Sequence, residues 1–288
     1  MKKTLEQYLQ DMHTAQTAAA YIYEIKKFKI RYPNHKHLRY EDIISYIDFL
    51  QHTSGTTSVN NRIIASIKKY YDFLFETGKR HDHPCKNIKI GNKKTKAIQT
   101  QNLFTREELM VLLERHNRFT KLEIRNKIIV QFLIYQAMQS REITRISVHD
   151  IDFANGTIYI KRGNILTQRT LELHPTQIYV LQQYISDIRP QLLTKNTDKL
   201  LIGLRGAVLS VDAIHAIFEQ FKQVYPDRKL NPTTIRQSTI SYWLNVKKFS
   251  LEHVQDLCGH RYPSSTEMYK SIDIESSQKW VNTFHPIQ

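Results

Sequence analysis

The spacing of apolar residues constrains this chain most, because it follows the helical period in nearly every segment. Tyr21, Ile22, Ile25 and Phe28 form one set, and Ile43, Ile44, Ile47 and Leu50 form a second. Ile63, Ile64, Ile67, Tyr70, Tyr71 and Leu74 form a third. Recurrence at three and four residues puts each set on one helix face. Polar breaks at "RYPNHKHLRY" and "HTSGTTSVNN" separate the sets, and "ETGKRHDHP" closes the last with a glycine and then a proline. Residues 1–88 therefore read as a small helical bundle.

The period changes once. "GTIYIKRGNILTQRTLEL", residues 156–173, alternates as two strands around a turn near Gly163 and Asn164, which reads as a β-hairpin. Helical spacing lies on both sides of it. "LFTREELMVLLERH" opens on a capping box of Thr105 and Glu108. "NKIIVQFLIYQAM", "TQIYVLQQYISDI", "SVDAIHAIFEQFKQV" and "TTIRQSTISYWLNV" follow the same period. The expected fold class is mainly α with a small β insert. A chain of 288 residues is long enough for two domains. Between Thr77 and Ala97, seven Lys or Arg residues face a single Asp and apolar periodicity lapses, so this stretch reads as a basic linker. The division expected is 1–88, a linker at 89–103, and 104–288.

Charge narrows the partner. Lys and Arg number 42 against 27 Asp and Glu, a formal net charge of +15. The isoelectric point is about 9.6. Such a surplus suits a polyanion, and double-stranded DNA is the first candidate. A membrane is the competing partner for basic charge, yet no apolar run approaches the roughly 18 residues of a membrane span. The start "MKKTLEQYLQ" has no apolar core of a signal peptide. The expectation is a soluble cytoplasmic protein without membrane attachment. Cys85 and Cys258 make neither a disulfide framework nor a CxxC motif, which fits a reducing compartment. "HDHPC" at 81–85 has no second half at metal-ligand spacing and reads as a turn, so neither a metal nor a cofactor is expected.

Several motifs in sequence order carry a resemblance. "YQAMQSREITRISVHDID" follows the box Y-x-G-L-R-x-S-E-L-x-x-L-x-x-x-D-I-D without a gap. The hairpin ends in "QRTLEL" where that pattern has R-x-V-P-L, and "NPTTIRQS" stands where it has P-H-x-L-R-H. "LCGHRYPSSTEMY" supplies L-G-H with a tyrosine nine residues after the histidine. In the first unit, "SVNNRIIASIKKYYDFLFETGKRHDHP" is similar to a core-binding helix and its following turn. Together these stretches resemble the tyrosine recombinase (phage integrase) family over nearly the whole chain. The resemblance implies a helical, SAM-like core-binding domain ahead of a tyrosine-recombinase catalytic-type domain. It also implies metal-free phosphoryl transfer, in which a tyrosine attacks a DNA phosphodiester and leaves a 3′-phosphotyrosyl link and a free 5′-hydroxyl.

That resemblance assigns roles residue by residue. Tyr269 takes the nucleophile position, His260 the histidine of the L-G-H box and Arg236 the second arginine. Four aligned positions are substituted: Gln139 for the first arginine, Asn164 for the hairpin lysine, Thr233 for the histidine before Arg236, and Gln237 for the histidine after it. Gln and Asn carry no charge, and neither protonates a leaving alkoxide as an ammonium does. Arg141 is a possible substitute for the missing arginine; on a helix it would lie about 200° around the axis from Gln139. Lys161 and Arg162 flank the hairpin turn and are possible substitutes for the lysine.

Two readings follow. With Tyr269, His260 and Arg236 present, the chain is expected to be a site-specific recombinase with an unusual active site. With Gln139 and Asn164 in place of charges, it reads instead as an architectural or accessory DNA-binding subunit. Under either reading, Arg62, Lys68 and Lys69 on the "NNRIIASIKKYY" helix and Lys93, Lys94 and Lys96 in the linker are candidate phosphate contacts. Self-association or tetrameric assembly on DNA, including assembly with a partner recombinase, belongs to the same expectation.

Overall fold

The computed structural model describes residues 3–53, 56–88, 98, 102–114, 120–221 and 223–270. The chain divides into two compact units, Met1–Lys96 and Ala97–Gln288. Most of the stretch expected to be a basic linker, with Lys93, Lys94 and Lys96, lies outside the described residues, as does everything after Lys270.

The first unit holds α1 (Leu5–Met12), α2 (Ala15–Arg31), α3 (Tyr40–Thr53) and α4 (Thr57–Glu76). The three apolar sets seen in the sequence become its core. Phe28, Ile43, Ile67 and Tyr71 are wholly buried there. Helix starts are fixed by side-chain caps: Thr4 and Gln7 form a capping box on α1, and Thr14 accepts from the Thr17 amide on α2. Buried phenols find partners too. The Tyr71 hydroxyl donates to the His35 carbonyl at 2.7 Å, and Tyr70 bonds the His35 ring at 2.6 Å.

The second unit begins with α5 (Arg106–Val111), which opens on the expected Thr105–Glu108 capping box. Next comes α6 (Thr120–Gln136), whose run Ile128–Ile134 is buried at every position. A helix buried on all sides carries no polar stripe, so α6 is the axis on which the domain is packed. The short α7 (Ser140–Ile143) leads into an antiparallel sheet of β1 (Ile151–Asp152), β2 (Thr157–Ile160) and β3 (Arg169–Glu172), in that order. Its register pairs Ile151 with Ile158, Ile158 with Leu171, and Ile160 with Arg169. Then follow α8 (Pro175–Gln183), a π-wound turn at Tyr184–Ile188, α9 (Arg189–Leu192) and α10 (Val211–Glu219). The chain continues through α11 (Pro232–Ser241), a second π-wound turn at Tyr242–Val246, α12 (Leu251–Cys258) and α13 (Ser264–Glu267).

The structure differs from the sequence expectation in the sheet and in one helix end. The sheet has a third strand, β1, which at two residues is too short to show an alternating period. It joins β2 through a turn in which Asp152 Oδ1 accepts from the amides of Ala154 and Asn155, both at 3.0 Å. The connection from β2 to β3 is an eight-residue loop, 161–168, rather than a tight turn at Gly163 and Asn164. The segment expected to be helical through Val224 winds as helix only to Glu219. No helix among the described residues is long and apolar enough to cross a membrane.

Candidate active site

The site is assembled from four helix breaks in the second unit. The first is the end of α6, where Ala137 adopts a left-handed backbone with φ 47°. This is the glycine position of the box described above, and an L-residue there costs roughly 1–2 kcal/mol. The bend turns the Ala137 carbonyl toward α11, where it accepts a hydrogen bond from Arg236 Nη1. Two residues on, Gln139 has extended backbone (φ −82°, ψ 150°) and caps α7, its amide donating to Glu142 Oε2 at 2.9 Å.

The second break is the start of α11. Asn231 accepts from the Thr234 amide at 2.9 Å, with Pro232 in the first helical position. That start sets the helix phase so that Arg236 faces inward, only 6% exposed. Its guanidinium also donates to the Cys258 carbonyl and to His260 Nε2, each at 3.0 Å.

The third break ends α12 at Gly259, in left-handed conformation with φ 66°. A Cβ at this position would lie 2.7 Å from Arg169 Nη1 and 3.0 Å from the Thr167 carbonyl, so no other residue fits without displacing them. The close approach joins the end of α12 to the loop after β2: Thr167 donates to the Gly259 carbonyl at 2.9 Å, and Leu166 bridges to His260. Behind the site, Arg169 donates to Glu142 at 2.6 and 3.1 Å, while Arg236 Nη1 lies 3.8 Å from the same carboxylate. Glu142 therefore holds two buried arginines in place.

The fourth break is at α13, which delivers Tyr269. Its ring packs beside Ile240, Leu244 and Val254 and lies nearly parallel to that of His260, with centroids 6.4 Å apart. Asn245, in the second π-wound turn, donates to the Tyr269 carbonyl at 2.9 Å. Single π-turns of this kind are enriched at functional sites.

Protonation states follow from the partners. Arg236 can only donate, so His260 Nε2 is an acceptor and the ring proton sits on Nδ1, which bonds Thr266 Oγ1 at 2.9 Å. Burial, then the charges of Arg236 and Arg169, push the His260 pKa down to about 4, against an opposing pull from Glu142. Burial also raises the Tyr269 pKa above the ordinary phenol value, with Arg236 and a hydrogen bond from Gln237 working the other way. At neutral pH both groups are uncharged.

A cavity of about 330 Å³ is lined by Tyr269, Arg236 and His260 together with Gln139, Thr233 and Gln237, and Arg141 opens into it as well. The sequence-derived cluster is thus brought together with three of the four substituted positions, Gln139, Thr233 and Gln237. The 200° separation reckoned for Arg141 does not apply, because Gln139 precedes the helix as an extended cap. Asn164 lies in an adjoining cavity of about 60 Å³, which shares Gln139 and Arg141 with the first. Lys161 lines this second cavity but is paired with Asp150 at 2.9 Å, and Arg162 lines neither.

In the first unit, the candidate phosphate contacts have acceptors of their own. Arg62 pairs with Glu24 at 3.3 Å, Lys69 with Asp72 at 2.8 Å, and Lys68 donates to the Ile88 carbonyl. No group of three or more His, Cys, Asp or Glu among the described residues is placed to hold a metal ion.

Sequence reading left Ala137, Glu142, Asn245 and Thr266 without roles. Glu142 stood in the box that carries the family resemblance, and its position between two arginines in space had no local signal. Asn245 and Thr266 show no pattern that could have marked them.

Residues 102–275 match the phage integrase family. The chain belongs to that family of tyrosine recombinases. It is 26% identical to the tyrosine recombinase XerD of Staphylococcus saprophyticus, over 99% of this chain and 99% of that protein. It is 24% identical to the tyrosine recombinase XerC of Pelotomaculum thermopropionicum, over 84% of this chain and 79% of that protein. Among solved structures, the XerH site-specific recombinase bound to palindromic difH substrate superposes with a TM-score of 0.68. That match covers 86% of this chain and 70% of XerH at 16% identity. The Tn1549 transposon integrase in complex with transposon right end DNA gives a TM-score of 0.66, over 98% of this chain and 99% of that one at 12% identity. The likeness to both structures is one of fold.

Proposed function

We propose that this recombinase-family chain cleaves and rejoins duplex DNA through a phosphotyrosyl link at Tyr269. One observation carries the reading: the Tyr269, Arg236 and His260 side chains line one cavity within a single chain. In the cleavage step, the Tyr269 Oη–phosphorus bond forms and the phosphorus–O5′ bond breaks, its electron pair going to O5′. The phenolic proton passes to water and O5′ takes one up from water. The phosphodiester energy is kept in the tyrosyl ester, and attack by a 5′-hydroxyl of a second strand reverses the step with the same groups.

Arg236 is fixed and desolvated, so its charge acts on the pentavalent phosphorus at little reorganisation cost. With a pKa near 4, His260 is a poor base for a phenol, and its first role is as a hydrogen-bonding neighbour. An entering phosphodiester anion raises the His260 pKa by direct charge attraction, which makes the ring a better proton carrier once DNA is bound. Gln139 keeps a donor amide at the first-arginine position without the charge, and Arg141 supplies a charge to the same cavity.

The DNA partner is supported by the net charge of +15 and by the DNA-bound state of the XerH and Tn1549 integrase structures. Exchange between two duplexes calls for several subunits on DNA, which is the assembly we propose. A second reading, an accessory subunit without efficient cleavage, is favoured by the uncharged Gln139 and Asn164.

The test is covalent trapping on nicked duplexes that carry a site selected by this protein from random sequence. An adduct formed by the native chain and lost in Tyr269→Phe, with DNA affinity retained, supports strand cleavage. Sequence-specific binding with no adduct supports the accessory reading instead.

A further inference from the structure

The two positions at which the family's cations are missing, Gln139 and Asn164, face the same small cavity, and that cavity is not short of positive charge. Arg141, Arg145 and Lys161 line it, against the carboxylates of Glu142 and Asp150. Both carboxylates are already occupied. Glu142 accepts from Arg169 with both oxygens, and Asp150 pairs with Lys161 through Oδ1 at 2.9 Å while Oδ2 takes the Ser147 amide at 2.8 Å. The charges of Arg141 and Arg145 have no carboxylate among the described residues within ion-pair distance. They are divided between the two vacated positions: Arg141 opens into both cavities, and Arg145 into the smaller one only.

Arg145 is also the cation beside the turn that lost its lysine. A Cβ built on Gly163 would lie 4.0 Å from Arg145 Nη1, and Gly163 directly precedes Asn164. Lys161 lines the same cavity, but its charge is paired with Asp150. On the reading that Tyr269 cleaves DNA, we propose that Arg145 contacts the leaving O5′ and stabilises its charge, in place of the absent lysine. A guanidinium does not give up its proton at neutral pH, so it acts by charge and hydrogen bond. The phosphorus–O5′ bond breaks with its electron pair on O5′, Arg145 holds the alkoxide, and water supplies the proton that makes the 5′-hydroxyl.

The test compares two nicked duplexes, one with oxygen and one with sulfur at the 5′-bridging position. A thiol leaving group has a pKa of about 8.5 and departs as its anion without help. Arg145→Ala is expected to slow cleavage of the oxygen substrate by about 10²-fold, the usual cost of one transition-state donor. On the sulfur substrate it should leave the rate nearly unchanged. Asn164→Lys placed in the Arg145→Ala chain should restore the oxygen reaction. Arg145 is exposed and without a carboxylate, so its loss should not disturb folding, and Arg145→Gln provides a second variant of similar size. Equal losses on both substrates would mean that Arg145 serves binding or fold, and no loss on either would mean that it serves nothing in the step; each overturns the inference. A native chain that forms no adduct on either substrate defeats the cleavage reading, and the inference with it. Native cleavage that is indifferent to Arg145 defeats the inference alone.

Discussion

Replacing Glu142 by Gln should destabilise the second unit more than any exposed substitution. The Glu142 side chain is 9% exposed, and the side chains of the two arginines around it, Arg169 and Arg236, are 6% and 7% exposed. The carboxylate accepts two bonds from Arg169 at 2.6 and 3.1 Å and lies 3.8 Å from Arg236. Glutamine keeps the shape and removes the charge, leaving two buried guanidiniums uncompensated. Removing one partner of a buried pair costs about 3–5 kcal/mol, most of it the desolvation of the charge left behind. With a urea m value of about 2 kcal/mol per molar, that loss moves the unfolding midpoint down by roughly 2 M. Residues 1–96 contain no tryptophan and Trp243 lies in the second unit, so tryptophan fluorescence follows the unfolding of that unit without the first. The double variant Glu142→Leu, Arg169→Met should lose less than Glu142→Gln, because it strands one buried guanidinium, that of Arg236, instead of two. A midpoint shift below about 0.5 M, or a double variant worse than the single, would refute the assignment of Glu142 as the counter-charge of this site.

Three further outcomes are expected. His260 is held near pKa 4 in the folded chain against about 6.5 unfolded, so both forms are neutral above pH 6.5 and the unfolded chain gains the proton first as pH falls. Stability should therefore drop by about 3 kcal/mol between pH 6.5 and pH 4, and urea titrations of His260→Gln should lack this component. Gln139→Arg should raise the rate of adduct formation by about 10²–10³ with little change in DNA affinity, read in single-turnover trapping; an unchanged rate would mean that Arg141 already fills the position. Replacing Lys93, Lys94 and Lys96 by Gln should flatten the slope of log affinity against log salt by about 0.9 for each phosphate left without its cation, measured by anisotropy on duplex DNA.

Much of this molecule was legible in one sequence because its helices declare themselves. The sets around Ile25, Ile47 and Ile67 became the first core, and the Thr105–Glu108 box opened α5 as expected. Tyr269, His260 and Arg236 were singled out by the family resemblance, whose motifs each span one helix end or turn, and the three line one cavity. What stayed hidden depended on pairings across long separations. The pairing of Glu142 with Arg169, the closing of Gly259 on that same arginine, and the approach of Arg145 to Gly163 join residues 18 to 90 positions apart. A two-residue strand such as β1 shows no period at all. Ala137 carried no signal either: an alanine does not announce the left-handed bend that aims its carbonyl at Arg236.

Tyr269, which shares one cavity with His260 and Arg236, is the residue proposed to form the protein–DNA bond. The most direct test is to digest the trapped adduct and identify by mass spectrometry the peptide that carries the nucleotide. One linked peptide is expected, with the phosphate on Tyr269 and attached to the 3′ end of the cleaved strand. A link to any of the other tyrosines, or to the 5′ end, would contradict that assignment.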